Sequence, residues 1–357
     1  MNNKYNFLNY SSVSNTLGDA PLTEIRRAGV TESVHFGSVA VTNTRGDIVY
    51  AVGNPRRLTF ARSALKPFLA APFFAGDGIQ RLGLTVSEAA LLCASHSGEV
   101  HHAEAASNIL KKAGADTQQL LCGCHIPFKF SWFDKLPSAN EVWGVQHHNC
   151  SGKHAGFIAA ARLKGVSANA YIDPQHPVQV DALKAVTQCM GMNINDIVHA
   201  IDGCSAPTFA MPLHHLAQGF ARLGVGNQLA NDSIHDYQYG LEIACQAMTA
   251  HPEMVSGEGR NDLAFSVASE GDWVCKIGAE GVQAIAIKSL GLGIAIKVAD
   301  GNMRALYPAT IAVLEQMGLL NEVRRQALSS WAKPILYNAA GMAVGDIVPV
   351  VQLREFT

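Results

Sequence analysis

The stretch WVCKIGAEGVQAIAIKSLGLGIAIKV, residues 273–298, contains three runs of apolar residues that are separated by short glycine-containing segments. The runs Trp273–Ile277, Val282–Ile287 and Gly293–Val298 have the length and the Val and Ile content that are typical of buried strands. Strands joined by such short connections pair as hairpins. The stretch therefore predicts an antiparallel β-meander near the C-terminus.

A second hairpin is predicted near the N-terminus, where the strand Glu32–Asn43 and the strand Ile48–Val52 flank the turn Arg45–Asp47. Strands from both ends of the chain then complete one sheet, and helices from the middle pack on it. We therefore predict an α/β fold with a largely antiparallel sheet. Helices are predicted over Arg62–Ala75, Ala89–Ala94 after a capping box at Thr85–Glu88, Glu99–Ala113, Ala155–Leu163, Met211–Leu223 and Met303–Met317.

The composition excludes several classes of protein. The 357 residues are 48% hydrophobic and only 16% charged, with a net charge of −2, which excludes disorder and gives no basic patch for nucleic acid. No apolar run reaches the roughly 18 residues of a membrane span, and residues 1–21 lack the pattern of a secretory signal. We expect a polar extension over 1–21, a single domain over 22–357 and a cytoplasmic location. So little charge also suggests surface buried in an oligomer.

Ser63-Ala-Leu-Lys66 places a serine and a lysine on one face of a predicted helix. A serine beside a neutral lysine is a nucleophile–base pair, and the pattern occurs in penicillin-recognising enzymes. The competing interpretation is an exposed Ser and Lys on an amphipathic helix. Lys66 lies in the otherwise apolar stretch SALKPFLAAPFFAG, which favours a buried role.

Two further motifs follow in the order expected of such enzymes. Ser95-His-Ser-Gly98 ends a capped helix, and Lys276-Ile-Gly278 lies on a late strand. Taken alone, the first is also typical of a serine-rich helix C-cap, and the second of a protective lysine on an edge strand.

Cysteine, lysine and histidine group in Cys150-Ser-Gly-Lys153-His154, and Asp202-Gly-Cys204 follows later in the chain. Sulfur and nitrogen ligands are those that Zn²⁺ prefers. Cys122-Gly-Cys124-His125 is an alternative site, and spacing does not separate the two. Most of the eight cysteines are expected to be reduced and buried in the core.

Four segments together resemble the rhizobial-type L-asparaginases, also called class 3 or asparaginase II-like. They are RSALKPFLA (62–70), CASHSGEVHH (93–102), HNCSGKHAGF (148–157) and IDGCSAP (201–207), and the resemblance extends from about Leu22 to Arg354. It implies a fold like that of serine β-lactamases and penicillin-binding proteins, a homodimer, and hydrolysis of L-asparagine to L-aspartate and ammonia.

The resemblance also implies the site residues. It assigns catalysis to two serine–lysine pairs, Ser63 with Lys66 and Ser95 with Lys276, and a Zn²⁺ ion to Cys150, Lys153 and Cys204. Substrate binding is expected from Arg62, His154 and Asp202, although Arg62 is equally well interpreted as an exposed helix arginine.

In the implied mechanism Ser63 attacks the side-chain amide, Lys66 accepts its proton, and a β-aspartyl ester forms, while Ser95 and Lys276 relay the proton to the leaving group. A neutral lysine at pH 7 ordinarily costs about 4–5 kcal/mol, which burial and a second ammonium reduce. Activity is therefore expected to rise through mildly alkaline pH.

Three alternatives remain open. The first is a serine β-lactamase or peptidase with the same Ser63 and Lys66 chemistry. The second is a non-catalytic protein that binds zinc or an amino acid. The third is a glutaminase, because a simple pocket discriminates one methylene by only about 1–3 kcal/mol. The role of zinc, as Lewis acid or as a positioning ion, is also open.

Overall fold

The computed structural model describes residues 18–226 and 235–357, which divide into two compact units. Unit 1 contains Leu65–Phe209 and Leu223–Leu263, and unit 2 contains residues 18–64 with Ala210–Arg222 and Ala264–Thr357. Each unit is thus assembled from separate segments of the region that sequence analysis predicted as one domain. Most of the predicted N-terminal extension, residues 1–17, lies outside the described residues, and the first strand already begins at Ala20.

The strands, in chain order, are β1 (Ala20–Arg27), β2 (Val30–Asn43), β3 (Ile48–Val52), β4 (Leu58–Phe60), β5 (Val198–Ile201), β6 (Pro207–Pro212), β7 (Trp273–Gly278), β8 (Val282–Ile287), β9 (Leu292–Val298), β10 (Ile335–Tyr337), β11 (Ala343–Pro349) and β12 (Arg354–Glu355).

The helices are α1 (Lys66–Ala75), α2 (Gly78–Leu82), α3 (Val86–Leu92), α4 (Val100–Lys112), α5 (Phe128–Ser131), α6 (Ser151–Leu163), α7 (Pro177–Cys189), α8 (Leu213–Val225), α9 (His235–Ala250), α10 (Pro252–Val255), α11 (Asn261–Ala268), α12 (Met303–Gln316) and α13 (Glu322–Ala332). None of these helices is long and apolar enough to cross a membrane.

Unit 2 is built on an antiparallel sheet with the strand order β10-β11-β1-β2-β9-β8-β7, extended by β3 against β2 and by β12 against β3. The predicted meander forms as expected, with Lys276 opposite Ala284 and Ala284 opposite Ala295. The N-terminal hairpin pairs β2 with β3. The prediction of an α/β fold with a largely antiparallel sheet is therefore confirmed.

Helices cover both faces of this sheet, which explains why β8 is buried along its whole length and is apolar apart from Gln283. Helix α12 packs on β9 and β11. At Gly293 a Cβ atom would lie 1.9 Å from the Ala217 carbonyl of α8, so glycine permits the closest approach of helix to strand. The helix predicted over Met211–Leu223 begins only at Leu213, because Met211 pairs with Thr59 of β4 as part of β6.

Unit 1 is mainly helical, and its interior is formed by α1 with α7 and α9, and by α6 with α3 and α4. The predicted capping box is present at the start of α3: the Thr85 hydroxyl accepts from the Glu88 amide, and the Glu88 carboxylate accepts from the Thr85 amide. Gly152 on α6 lies against the end of α3, where a Cβ atom would be 2.2 Å from the Leu91 carbonyl. This close approach brings the residues that follow α3 to the start of α6.

Candidate functional site

The S-x-x-K motif forms continuous helical backbone. Arg62–Leu65 is a 3₁₀ turn that leads directly into α1 at Lys66. Arg62 has a φ of 52°, the left-handed region that non-glycine residues rarely occupy, and such strain is concentrated at functional sites. Arg62 and Ser63, both half-buried, end the first segment of unit 2, and Lys66 belongs to unit 1.

Lys276 lies in unit 2 on β7, an edge strand of the sheet, but its side chain is fully buried. An edge lysine that prevents aggregation has to be exposed, so burial excludes that interpretation. Its Nζ donates to the Ile277 carbonyl at 2.9 Å. A Cβ atom on Gly278 would lie 2.5 Å from the Ala61 carbonyl, so this glycine lets β7 approach the chain just before Arg62.

Lys66 is buried in unit 1 and contacts Ser95. Its Nζ donates to the Ser95 Oγ at 2.9 Å, to the Ala94 carbonyl at 2.5 Å and to the Asn149 carbonyl at 3.3 Å. The resemblance paired Ser95 with Lys276, and that pairing stays a prediction. Within unit 1 the lysine that contacts Ser95 is Lys66, so one serine and one lysine of the two predicted pairs meet directly.

The three predicted zinc ligands come together beside Lys66. Cys150 precedes α6, Lys153 lies in its first turn, and the Lys153 Nζ is 2.9 Å from the Cys204 Sγ. Cys204 follows β5 in a turn closed by a hydrogen bond from the Asp202 amide to the Ala206 carbonyl. All three ligands are buried.

The thiols of Cys150 and Cys204 differ in pKa, because Cys204 donates a hydrogen bond to Cys150. The hydrogen bond from Cys204 holds the pKa of Cys150 well below its usual range, and Lys66 and Lys153 act in the same direction against burial. The same hydrogen bond, with burial, raises the pKa of Cys204. Cys150 is thus the residue that ionises first, and a thiolate is the form that binds a metal.

The amine of Lys153 favours its protonated form, whereas the imidazole of His154 is neutral. Burial opposes protonation of Lys153, but the sulfur atoms of Cys204 and Cys150, with Asp202, raise its pKa above the ordinary value. Burial lowers the pKa of His154 to about 4, so its ring is neutral at pH 7.

The donor set suits a zinc ion. Beside the two thiols and the amine lies the buried ring of His154, which interacts with Cys204 and whose Nδ1 lies 2.7 Å from the Tyr171 hydroxyl. A neutral imidazole nitrogen is a common metal ligand. Sulfur and nitrogen donors are those of tetrahedral zinc sites. The Asp202 Oδ2 lies 3.9 Å from the Cys204 Sγ.

The alternative site, Cys122 with Cys124 and His125, is less suited to zinc. Burial raises the pKa of Cys122 to about 12, Cys124 is exposed, and both ring nitrogens of His125 lie near oxygen atoms. Among the described residues, neither these three nor Cys150, Cys204 and His154 form a compact group of ligand atoms, so compactness does not separate the two sites.

Glu99, His101 and His102 do form such a group among the residues described. Both nitrogens of His102 are already used, however, because Nδ1 accepts from the Glu99 amide and Nε2 lies 3.0 Å from the Glu253 carbonyl. The ring is thus part of the cap of α4, and the group is structural rather than metal-binding.

Replacing His102 with glutamine is expected to make the protein less sensitive to acid. Burial lowers the pKa of His102 to about 3, with smaller effects from His101 and Arg260, so the unfolded chain, with an ordinary value of 6.5, binds the proton first. The contribution of neutral His102 to the free energy of unfolding is therefore fully present above pH 6.5 and is lost as the pH drops toward 3. Urea unfolding at several pH values should show a shallower fall for His102→Gln.

The matched control is His101→Gln, which removes an exposed imidazole from the same helix and should keep the pH dependence of the wild type. An unchanged slope in His102→Gln would show that His102 is not responsible.

Sequence reasoning missed Arg260, which is buried and stacks on Trp132 with 3.7 Å between the guanidinium carbon and the ring centroid. Its Nη1 lies 3.5 Å from the Ser95 carbonyl and from the Ser97 Oγ. A signal was present in the chain, since Gly257-Glu-Gly-Arg260 puts an arginine in a glycine-rich turn of a protein with few charges.

The structure thus combines an α/β fold with a buried cluster of serine, lysine and cysteine side chains. The chain belongs to the L-asparaginase II family, whose model matches residues 23–349. The resemblance read from the four sequence segments is confirmed by this match.

Comparisons with solved structures give distant similarities. The chain is 12% identical to a protein described as Mglu in its glutamate form, with a TM-score of 0.44 over 79% of this chain, and spans 61% of the length of that protein. It is 13% identical to a β-lactamase from Mycobacterium bovis, with a TM-score of 0.40, covering 78% of this chain and 94% of that one. No curated protein sequence matches.

Proposed function

We propose that the protein hydrolyses the side-chain amide of L-asparagine to L-aspartate and ammonia. The observation that supports this most directly is the buried contact between the Lys66 Nζ and the Ser95 Oγ in a member of the L-asparaginase II family. A lysine in contact with a serine hydroxyl can pass a proton between an attacking and a leaving group without histidine.

In the proposed reaction the Ser63 Oγ attacks the amide carbon, and its proton passes to Lys66. Ammonia leaves with a proton relayed through Ser95 and Lys276, and a β-aspartyl ester remains on Ser63. Water then hydrolyses the ester and restores the serine. The hydrogen bond between Lys66 and Ser95 supplies one step of that relay.

Substrate recognition is proposed for Arg62, His154 and Asp202. An arginine suits the α-carboxylate of an amino acid, and an aspartate suits its α-ammonium. Neutral His154 can donate or accept a hydrogen bond without adding charge. The burial of Lys66 and Ser95 supports a dry site in which such contacts are strong.

We propose Cys150, Lys153 and Cys204 as the ligands of a Zn²⁺ ion, with His154 and Asp202 beside them. Zinc, when bound, would polarise a substrate oxygen or hold the substrate in place. Only a neutral amine can bind the ion, so zinc binding has to displace the proton that the neighbouring thiols favour on Lys153.

Replacing either cysteine is expected to abolish stoichiometric zinc binding, because each removes a sulfur ligand. Cys150→Ser and Cys204→Ser should contain much less zinc than the wild type by elemental analysis of dialysed protein. Cys245→Ser is the control, since this buried cysteine lies on α9. Equal zinc in all four proteins would contradict the ligand assignment, and full turnover by metal-free variants would limit zinc to a structural or modulatory role.

Ammonia release from asparagine and glutamine, measured side by side with nitrocefin turnover, tests the activity itself. Release from asparagine in preference to glutamine is expected. Nitrocefin turnover without ammonia would instead favour a β-lactamase or peptidase, and the absence of both would favour a binding protein.

A homodimer and a cytoplasmic location are also proposed. The low charge of the chain supports the dimer, because it leaves little charge to solvate a monomer surface. Light scattering should give about twice the mass of one chain.

A further inference from the structure

The loop that contains Ser95 is fastened to a second loop, residues 255–260. The Ser95 amide donates to the Val255 carbonyl at 2.8 Å, and the Ser97 Oγ donates to the Ser256 carbonyl at 3.0 Å. The Glu258 amide donates to the Glu99 carboxylate at 3.1 Å. These bonds are spread over the whole Ser95–Glu99 loop, so the second loop helps to fix its position, together with the bond between the His96 ring and the Ser151 hydroxyl.

This contact between the loops requires glycine at 257. Gly257 has a φ of 119°, and a Cβ atom there would lie 2.6 Å from both the Ser97 Oγ and the Glu99 Oε1. Any other residue would therefore strain the backbone and push the loops apart.

Arg260 ends the second loop and fills the space between the Ser95 loop and the aromatic segment after α5. Its guanidinium lies 3.7 Å from the ring centroid of Trp132, and Nη1 is 3.5 Å from the Ser95 carbonyl and from the Ser97 Oγ. Helix α5, which directly precedes Trp132, is itself bound to the loop, since the Lys129 amide donates to the Ser97 carbonyl at 2.7 Å.

We propose that Arg260 is a positioning residue that holds Ser95 in the orientation in which its hydroxyl meets Lys66. This inference rests on the proposed function, because it assigns Arg260 an effect on the reaction only through Ser95. A planar guanidinium can stack on an indole and donate at its edge at the same time, which the ammonium of lysine does not reproduce.

The test is a double-mutant cycle with Arg260→Gln and Ser95→Ala. Because a displacement of about 1 Å can cost about 100-fold in rate, we expect Arg260→Gln to lower kcat by about that factor with a smaller change in KM. If Arg260 acts through Ser95, the double variant is no slower than Ser95→Ala. The proposal would be overturned if the fold-reductions in kcat of Arg260→Gln and Ser95→Ala multiplied in the double variant. Unchanged activity in Arg260→Gln would also overturn it.

Arg57→Gln controls for the loss of a buried arginine, since Arg57 is ion-paired with Asp19 in unit 2. Any fold-reduction in kcat caused by Arg57→Gln should multiply with that of Ser95→Ala when the two substitutions are combined. Thermal denaturation of all variants separates rate from unfolding, and Trp132→Leu, which removes the stacking partner, replaces Arg260→Gln if that variant does not fold.

A crystal structure of Arg260→Gln, or of Trp132→Leu, tests the positioning independently of any activity. The 2.9 Å contact between the Lys66 Nζ and the Ser95 Oγ should lengthen or disappear, and an unchanged contact would overturn the proposal. If the wild type releases no ammonia from asparagine, the proposed function fails, and this structural measurement still decides the role of Arg260.

Discussion

Replacing Ser63 with alanine is expected to reduce asparagine hydrolysis by a factor on the order of 10⁴–10⁶, the range found when a nucleophilic serine is removed. The reason is chemical rather than structural, because without the hydroxyl no β-aspartyl ester can form. The side chain is only half-buried and lies in a 3₁₀ turn, so the fold should tolerate the change. Ammonia release at saturating asparagine measures the loss.

Ser107→Ala is the matched control for this experiment. Ser107 is also half-buried and helical, and its hydroxyl donates to the Ala103 carbonyl within α4. This variant should keep full activity. Mass spectrometry of quenched turnover should find the aspartyl adduct on the peptide that contains Ser63, and full activity in Ser63→Ala would assign the nucleophile elsewhere.

The backbone at Arg62 provides a structural reason to expect a special role for the residue that follows it. A left-handed φ at an arginine is energetically costly, and a fold retains it where the turn has to present a side chain in one direction. Gly278 meets the same turn from β7 at the Ala61 carbonyl. Within unit 2, Gly278 of the K-x-G motif therefore approaches the backbone just before Arg62 and Ser63.

The sequence predicts correctly those strands of the sheet that pair with strands adjacent to them in the chain. The meander of β7, β8 and β9 has apolar runs and glycine turns that are adjacent in the chain. By contrast, Ala20 and Pro21 of β1 fall within the polar extension predicted over 1–21, and no strand is predicted over the rest of β1. It forms a strand because β2 and β11 pair with it on both sides, and β11 is distant in sequence.

In the candidate site, too, residues close together in the sequence could be grouped in advance, whereas contacts between distant segments could not. Cys150 and Lys153 could be assigned together because they lie at the start of one helix. The contact of Lys66 with Ser95 depends on how α1 packs near the end of α3, and no pattern within either motif specifies it. Arg260 is a further case, since only the folded chain shows that it reaches the Ser95 carbonyl.

Replacing Lys66 with methionine is expected to lower kcat by a factor on the order of 10²–10⁴, the usual contribution of a general base. Methionine keeps much of the apolar length of the lysine but has no amine to accept the serine proton. The variant also lacks the amine that donates to the Ser95 hydroxyl. Residue 66 can then neither accept the proton of Ser63 nor pass it on to Ser95. Because a lysine base is active only when neutral, the wild-type rate should rise with pH, and Lys66→Met should lose that rise.

Lys112→Met is the matched control, since the Lys112 Nζ also bonds a backbone carbonyl, that of Gly83, and a side chain, the carboxylate of Glu88. This variant should retain both the rate and the alkaline rise of the wild type. Removing Lys66 leaves the Ala94 and Asn149 carbonyls without the Nζ donor, so thermal denaturation has to accompany the kinetics. A folded Lys66→Met protein with the wild-type pH profile, or a wild-type profile that is flat from pH 6 to pH 10, would contradict a lysine base that becomes neutral over that interval.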